Sequence, residues 1–172
     1  VVPRRPERFE EVAALAPWVR RSRGGERELG AVGERGGALA PDLFLLDAMG
    51  EAEAAVALAD VVVLGRSYAR MGGSNPAPAA LLGRPLVVGP NYGNFREMVA
   101  ALTDAGAAVV APEPWPAVAR ILRDPEVRAA MERAGPAVVA ASAGAAGRTL
   151  EVVRRQLTGY PWGRTPPGGS GA

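Results

Sequence analysis

Two short apolar runs with a glycine-bearing loop between them most constrain this chain. Val61-Val62-Val63-Leu64 ends at Gly65, and Pro85-Leu86-Val87-Val88 ends at Gly89-Pro90. Between them lie Gly72-Gly73-Ser74-Asn75-Pro76 and a small-residue stretch, Ala77 to Leu82. The order predicts strand, glycine loop, short helix, strand: the βαβ unit, whose two strands run parallel. A Gly-Gly pair after a strand lets backbone N–H groups approach a ligand, and with the following helix N-terminus it makes a seat for a phosphate. The competing structural reading is that Gly72 and Gly73 only permit a tight turn.

The same alternation extends both ways. Val1-Val2 reads as a buried strand end and Pro6 opens a helix, with Phe9, Val12, Ala13 and Ala16 on one face and Pro17 as its stop. A strand at Trp18-Val19 follows, then a Gly- and charge-rich surface loop over Arg23 to Ala40. Asp42 to Leu46 predicts a buried strand, and the turn Asp47-Ala48-Met49-Gly50-Glu51 leads into a helix whose Ala54, Ala55 and Leu58 face the sheet. After the central unit, Asn94 is expected to cap a helix with Glu97 completing a capping box. A strand at Ala107 to Ala111 and a helix from about Trp115 to Leu122 come next. Another helix begins after Asp124, with a break expected at Gly135-Pro136 and a last helix from about Ala145 to Leu157. Strands alternating with helices predict an α/β fold, a Rossmann-like parallel sheet with helices on both faces. The expected organisation is one such domain over 1–158 and a disordered Pro-, Gly- and Ser-rich tail over 159–172.

Composition removes several chemistries. The chain has neither Cys nor His, which excludes thiol nucleophiles, His-based triads and the usual zinc ligand sets within it. All 20 basic residues are Arg, read together with abundant Ala, Gly and Pro as a genomic composition bias. The net charge of +2 gives no case for nucleic acid, and the cluster Arg20-Arg21-Arg23 reads as a solvated strand end. The chain opens on Val1-Val2-Pro3 without Met, which suggests the C-terminal part of a longer protein.

In a parallel α/β sheet, ligands sit at the carboxyl ends of strands. Three loops are placed there: Pro3-Arg4, Met49-Gly50-Glu51, and Gly72 to Pro76. Arg4 is suited to a phosphate or carboxylate, Glu51 to ligand hydroxyls or a simple helix-terminus role, and Asn75 to capping the helix that starts at Pro76. Asp47 and Asp60, both at element ends, are read as structural. No pair of carboxylates has acid/base spacing, and no catalytic residue is assigned.

These residues resemble a known family. Val2-Pro3-Arg4-Arg5-Pro6-Glu7-Arg8-Phe9 looks like the "VPRHPERF" segment of bacterial 3-deoxy-D-manno-octulosonic acid (Kdo) transferases. Asp47-Ala48-Met49-Gly50-Glu51 resembles their "DTMGE", Gly72-Gly73-Ser74-Asn75-Pro76 their "GGHNP", and Gly89-Pro90-Asn91-Tyr92-Gly93-Asn94-Phe95 their "GPHTFNF". The motifs occur in order over about residues 1–157. The resemblance implies the C-terminal, donor-binding half of a GT-B glycosyltransferase that moves Kdo from CMP-Kdo to a lipid A precursor in lipopolysaccharide synthesis. It implies no cofactor and no metal, a catalytic Glu in a separate N-terminal domain, and a peripheral place on the cytoplasmic face of the inner membrane or in the cytoplasm. It carries CMP or donor contacts onto Pro3, Arg4, Met49, Gly50, Glu51, Gly72, Gly73, Ser74, Asn75, Pro76 and Ala77. This sequence departs from the family where a Glu follows the Asn-Pro: here the run is Asn75-Pro76-Ala77-Pro78. Ser74, Asn91 and Arg5 stand where the family has His. Two alternatives are a degenerate, non-catalytic interaction module and another GT-B enzyme using a UDP-sugar.

Overall fold

In a computed structural model, the structure describes residues 1–3, 5–16, 19–22 and 43–157, the side chains at 143–151, 156 and 157 excepted. Arg4, Pro17, Trp18, Arg23 to Asp42 and the tail from 158 lie outside the described residues. The alternating order predicted from the sequence is present. A 3₁₀ turn at Pro6–Arg8 leads into α1 (Phe9–Ala13), then β1 (Val19–Arg20) and β2 (Phe44–Leu45). Next come α2 (Ala52–Ala57), β3 (Val62–Leu64), α3 (Ala77–Leu81), β4 (Leu86–Val88) and α4 (Arg96–Asp104). The series ends with β5 (Ala108–Val110), α5 (Pro114–Arg123) and α6 (Pro125–Leu157).

All strand pairs are parallel. They form two hydrogen-bonded groups, β1-β2 and β3-β4-β5, rather than one continuous sheet. Val1 extends the first group: its amino group donates to Phe44 O (2.6 Å) and its carbonyl accepts from Leu46 N–H (2.9 Å), the bonding of a parallel neighbour. Its side chain is nonetheless 62% exposed, so the expected burial of Val1-Val2 is not met.

The register explains the core. Val62, Leu86 and Ala108 are cross-strand partners, as are Leu64, Val88 and Val110. Because side chains alternate along a strand, these six point to one face. There they meet Ala79 and Ala80 of α3, Val99 and Leu102 of α4, and Ala134, Val138 and Val139 of α6. Val63, Val87 and Val109 point to the other face, onto Val118 and Ile121 of α5 and Val127 and Met131 of α6. The sheet is therefore covered on both faces, as the apolar runs predict for parallel strands. Within α2, Val56 reaches the core whereas Leu58 is 86% exposed, reversing the expected face of that helix.

The predicted break at Gly135-Pro136 is absent: α6 runs unbroken for 33 residues with Pro136 inside it. Pro136 has no N–H for the carbonyl of Glu132, four residues back. That carbonyl lies against the α3–β4 turn, where a Cβ on Gly83 would sit 2.9 Å from it. A Cβ on Gly135 would sit 2.6 Å from the carbonyl oxygen of Ala80. The pair read as a breaker is thus the contact surface between α6 and α3. Asn94 does not cap α4 either. A 3₁₀ turn (Gly93–Phe95) precedes that helix, whose N-terminus has no side-chain cap.

Gly135→Ala sets two effects against each other. Alanine gains about 0.8–1.0 kcal/mol of helix propensity, but a Cβ pressed on backbone costs roughly 1–3 kcal/mol. The variant is expected to be less stable in urea denaturation, and Gly135→Val more so. A stabilised Gly135→Ala protein would show that α3 and α6 pack less closely than described.

Candidate donor-binding site

The loop leaving β3 is held in place by a buried hydroxyl. Ser67 lies in a 3₁₀ turn (Gly65–Tyr68) with no solvent exposure. Its Oγ donates to Leu64 O and accepts from Gly89 N–H at 2.6 Å, while its carbonyl accepts from Asn91 N–H at 2.9 Å. The loop after β3 is thereby fixed to the loop after β4. The two glycines continue that contact. Gly72 and Gly73 have φ of 76° and 85°, a left-handed backbone that favours glycine. A Cβ on Gly72 would fall 2.4 Å from the Asn94 side chain, and one on Gly73 would fall 3.0 Å from Tyr92 Cα. Asn94 N–H also donates to Gly72 O (3.1 Å). The room the glycines leave on this side is filled by the 91–94 loop.

Beyond them, Ser74 is half-buried, Asn75 is exposed and Pro76 is fully buried. Asn75 Oδ1 accepts from Ala77 N–H at 3.0 Å at the start of α3, the capping role expected of it. The helix has five residues. No carboxylate follows Asn75-Pro76: the run is Asn75-Pro76-Ala77-Pro78, and the Glu of the related motif is missing.

The loop after β2 is built around Asp47, whose carboxylate is fully shielded from solvent. Burial works against its charge. Hydrogen bonds from the Ser22 hydroxyl and N–H and from Arg20 outweigh that and bring its carboxyl down to about 2. Arg20 Nε donates to Asp47 at 2.6 Å, and its terminal nitrogens reach Glu10 of α1 at 2.6 and 2.9 Å. Arg20 is 11% exposed, so the described part of the cluster read as a solvated strand end is structural, while Arg23 lies outside the described residues. Arg21 belongs to it as well, gripping Glu51 with two bonds of 2.8 and 3.1 Å. Met49 and Gly50 are exposed, and nothing lies within 4 Å of where a Gly50 Cβ would be. Pro3, half-buried, follows the Val1 segment and so leaves the same end of the first strand group as Asp47.

The predicted residues thus fall at two carboxyl edges, Pro3 with Met49 to Glu51 and Gly72 to Ala77. Sequence reasoning missed Ser67 and the partners Arg20 and Arg21. A lone Ser in a loop carries no pattern, and arginines are too common in this chain to stand out. It also missed a groove of about 630 Å³ at the ends of β3 and β4. That groove is lined by Arg70, Gly72, Pro90, Asn91, Tyr92, Gly93 and Arg96. Among the described residues no cluster of acidic side chains could hold a metal ion.

No protein-family profile matches the chain. Over 165 residues it is 38% identical to the 3-deoxy-D-manno-octulosonic acid transferase of Bordetella pertussis, covering 91% of this chain and 36% of that protein. The chain is a relative of the Kdo transferases. It spans about a third of that curated relative's length and corresponds to the family's C-terminal part. A crystal structure of the C-terminal CMP-Kdo binding domain of WaaA from Acinetobacter baumannii superposes with a TM-score of 0.61 at 27% identity. The superposition covers 80% of this chain and 72% of that one. The fold is accordingly that of the C-terminal half of a GT-B Kdo transferase, as the motifs implied.

Two outcomes check this geometry. The folded pKa of Asp47 lies below the ordinary carboxylate value, so its contribution is present above about pH 4 and is lost as pH falls towards 2. The loss is about 2 kcal/mol. Asp47→Asn is expected to lower stability at neutral pH and to flatten the acid limb of the profile between pH 4 and 2, read by circular dichroism. Ser67→Ala leaves Gly89 N–H and Leu64 O without their partner and is expected to cost about 1–3 kcal/mol, measured by thermal unfolding.

Proposed function

We propose that this chain is the donor-binding part of a Kdo transferase, holding CMP-Kdo for transfer to a lipid A precursor in lipopolysaccharide synthesis. The observation that carries the reading is the coincidence of sequence and place. The motifs shared with the Kdo transferases occupy loops at the carboxyl ends of parallel strands. There parallel α/β sheets bind ligands. In this reading Pro3, Arg4, Met49, Gly50 and Glu51 form one wall of the nucleotide site, and Gly72, Gly73, Ser74, Asn75, Pro76 and Ala77 form the other. Arg4 supplies the charge that pairs with the phosphate. The catalytic acid or base and the acceptor site belong to an N-terminal domain, and no cofactor takes part.

Glu51 takes the ribose hydroxyls in place of the acid that Ala77 lacks. Its bidentate pairing with Arg21 does not prevent this, since an ionised carboxylate has about four acceptor sites and Arg21 uses two. Arg21 also fixes the carboxylate's orientation before ligand arrives. The protein works at the cytoplasmic face of the inner membrane as a peripheral protein. Among the described residues no helix is long and apolar enough to cross a membrane.

Calorimetric titration with CMP tests the reading. Saturable binding is expected, with CMP preferred over UMP. Arg4→Ala removes a charge-assisted contact of about 1.5–3 kcal/mol, so affinity should fall by at least tenfold. Preference for UMP would support a UDP-sugar enzyme of the same fold, and no response to either nucleotide at millimolar concentration would support an interaction module.

A further inference from the structure

The groove at the ends of β3 and β4 contains an arrangement that the nucleotide site does not use. Arg70 comes from the loop after β3 and Arg96 is the first residue of α4, after β4. They line one groove of about 630 Å³ whose other walls are Gly72, Pro90 and the 91–93 loop. No carboxylate lines it, and neither guanidinium has a hydrogen bond or ion pair with any described residue. Arginines elsewhere in the fold behave differently: Arg20, Arg21 and Arg128 are all ion-paired. Arg66, in the same loop as Arg70, bonds Met71 O.

The placement of Arg96 is unfavourable in the empty protein. The N-terminus of a nine-residue helix carries partial positive charge, so a cation there is repelled, and a second cation across the groove adds to that repulsion. Glu97, in the first turn of α4, offsets the dipole but does not line the groove. Two arginines lining one groove beside a helix N-terminus, with no carboxylate among its lining residues, are an arrangement an oxyanion would stabilise.

We propose that the Arg70–Arg96 groove is an oxyanion subsite that takes the carboxylate of the donor's sugar acid. The proposal rests on the donor reading above. An oxyanion in this groove could be that carboxylate or the phosphate of the nucleotide. The carboxylate is favoured by position. The proposed nucleotide contacts lie on the loops after β2 and β3. The groove shares Gly72 with them and extends the site to the loop after β4, beyond the loops assigned to the nucleotide. The Tyr92 ring, half-buried on the groove wall, offers an apolar surface for the sugar carbons.

The test compares CMP with CMP-Kdo by calorimetry on the chain and on Arg70→Gln, Arg96→Gln and the double variant. Both side chains are exposed and unpaired, so thermal midpoints should be unchanged or slightly raised. Wild type is expected to bind CMP-Kdo more tightly than CMP. The double variant should lose at least tenfold in CMP-Kdo affinity while its CMP affinity stays within twofold, and each single variant should fall between. An equal loss for both ligands would make the groove a phosphate site and overturn the proposal. Undiminished CMP-Kdo binding by the double variant would overturn it while leaving the donor reading intact. Wild-type binding of neither ligand would overturn the donor reading and the subsite with it.

Discussion

The buried hydroxyl of Ser67 is the contact on which the ligand-facing edge of this fold depends. It closes the turn after β3 onto Leu64 O and holds Gly89 N–H at the end of β4. Both partners are backbone groups, one buried and one part-buried, so losing the hydroxyl costs free energy. Close approach here also requires Gly89: a Cβ at that position would fall 2.6 Å from the carbonyl oxygen of Ser67. The glycine pair then continues the contact, with Gly72 against Asn94 and Gly73 against Tyr92. Two loops that belong to neighbouring strands become one rigid wall. Positions 70 and 96 face a common groove only because that wall is fixed.

A second anchor does the same work on the other strand group, by charge rather than by close packing. Asp47 gathers Arg20 and Ser22, Arg20 reaches on to Glu10, and Arg21 grips Glu51. A shielded carboxylate would be costly if it stood alone, but here Arg20 Nε and the N–H and hydroxyl of Ser22 donate to it. The result is a short loop, Ala48 to Gly50, that is exposed yet tied at both ends. Such a loop can present Met49, Gly50 and Glu51 to a ligand without first having to order itself, which preserves binding free energy.

Much of this fold was legible in the sequence because its strands are short, apolar and evenly separated by helical stretches. The runs 61–64 and 85–88 could be assigned as a parallel pair, since an unbroken apolar run fits a strand covered on both faces. What failed was local reading of residues whose behaviour is decided by distant partners. Gly135-Pro136 looks like a stop in isolation. Packed on α3, Gly135 is needed for the close approach to Ala80, and the carbonyl freed by Pro136 meets the turn at Gly83. Asn94 has the sequence of a helix cap, yet its side chain is drawn to Gly72 instead. Leu58 has the right residue type for a core face, but the register of α2 gives that place to Val56.

The site was legible in a different way. Loops at strand ends could be found from the pattern of elements, and motif likeness supplied the ligand class. Neither could show which charges are already committed inside the protein. Arg20, Arg21, Arg70 and Arg96 are indistinguishable as letters in a chain whose basic residues are all arginine. The structure separates them by partner: the first two are bound to Asp47 and Glu51, whereas the other two face a groove with no counter-charge. An arginine that holds a carboxylate of its own fold has little left for a ligand, while an unpaired one beside a helix N-terminus is stabilised by gaining an anion. In the proposed reading, recognition of an acidic donor is divided between two walls: one offers pre-oriented acceptors for hydroxyls at Glu51, and the other offers Arg70 and Arg96, with the glycine loop between them.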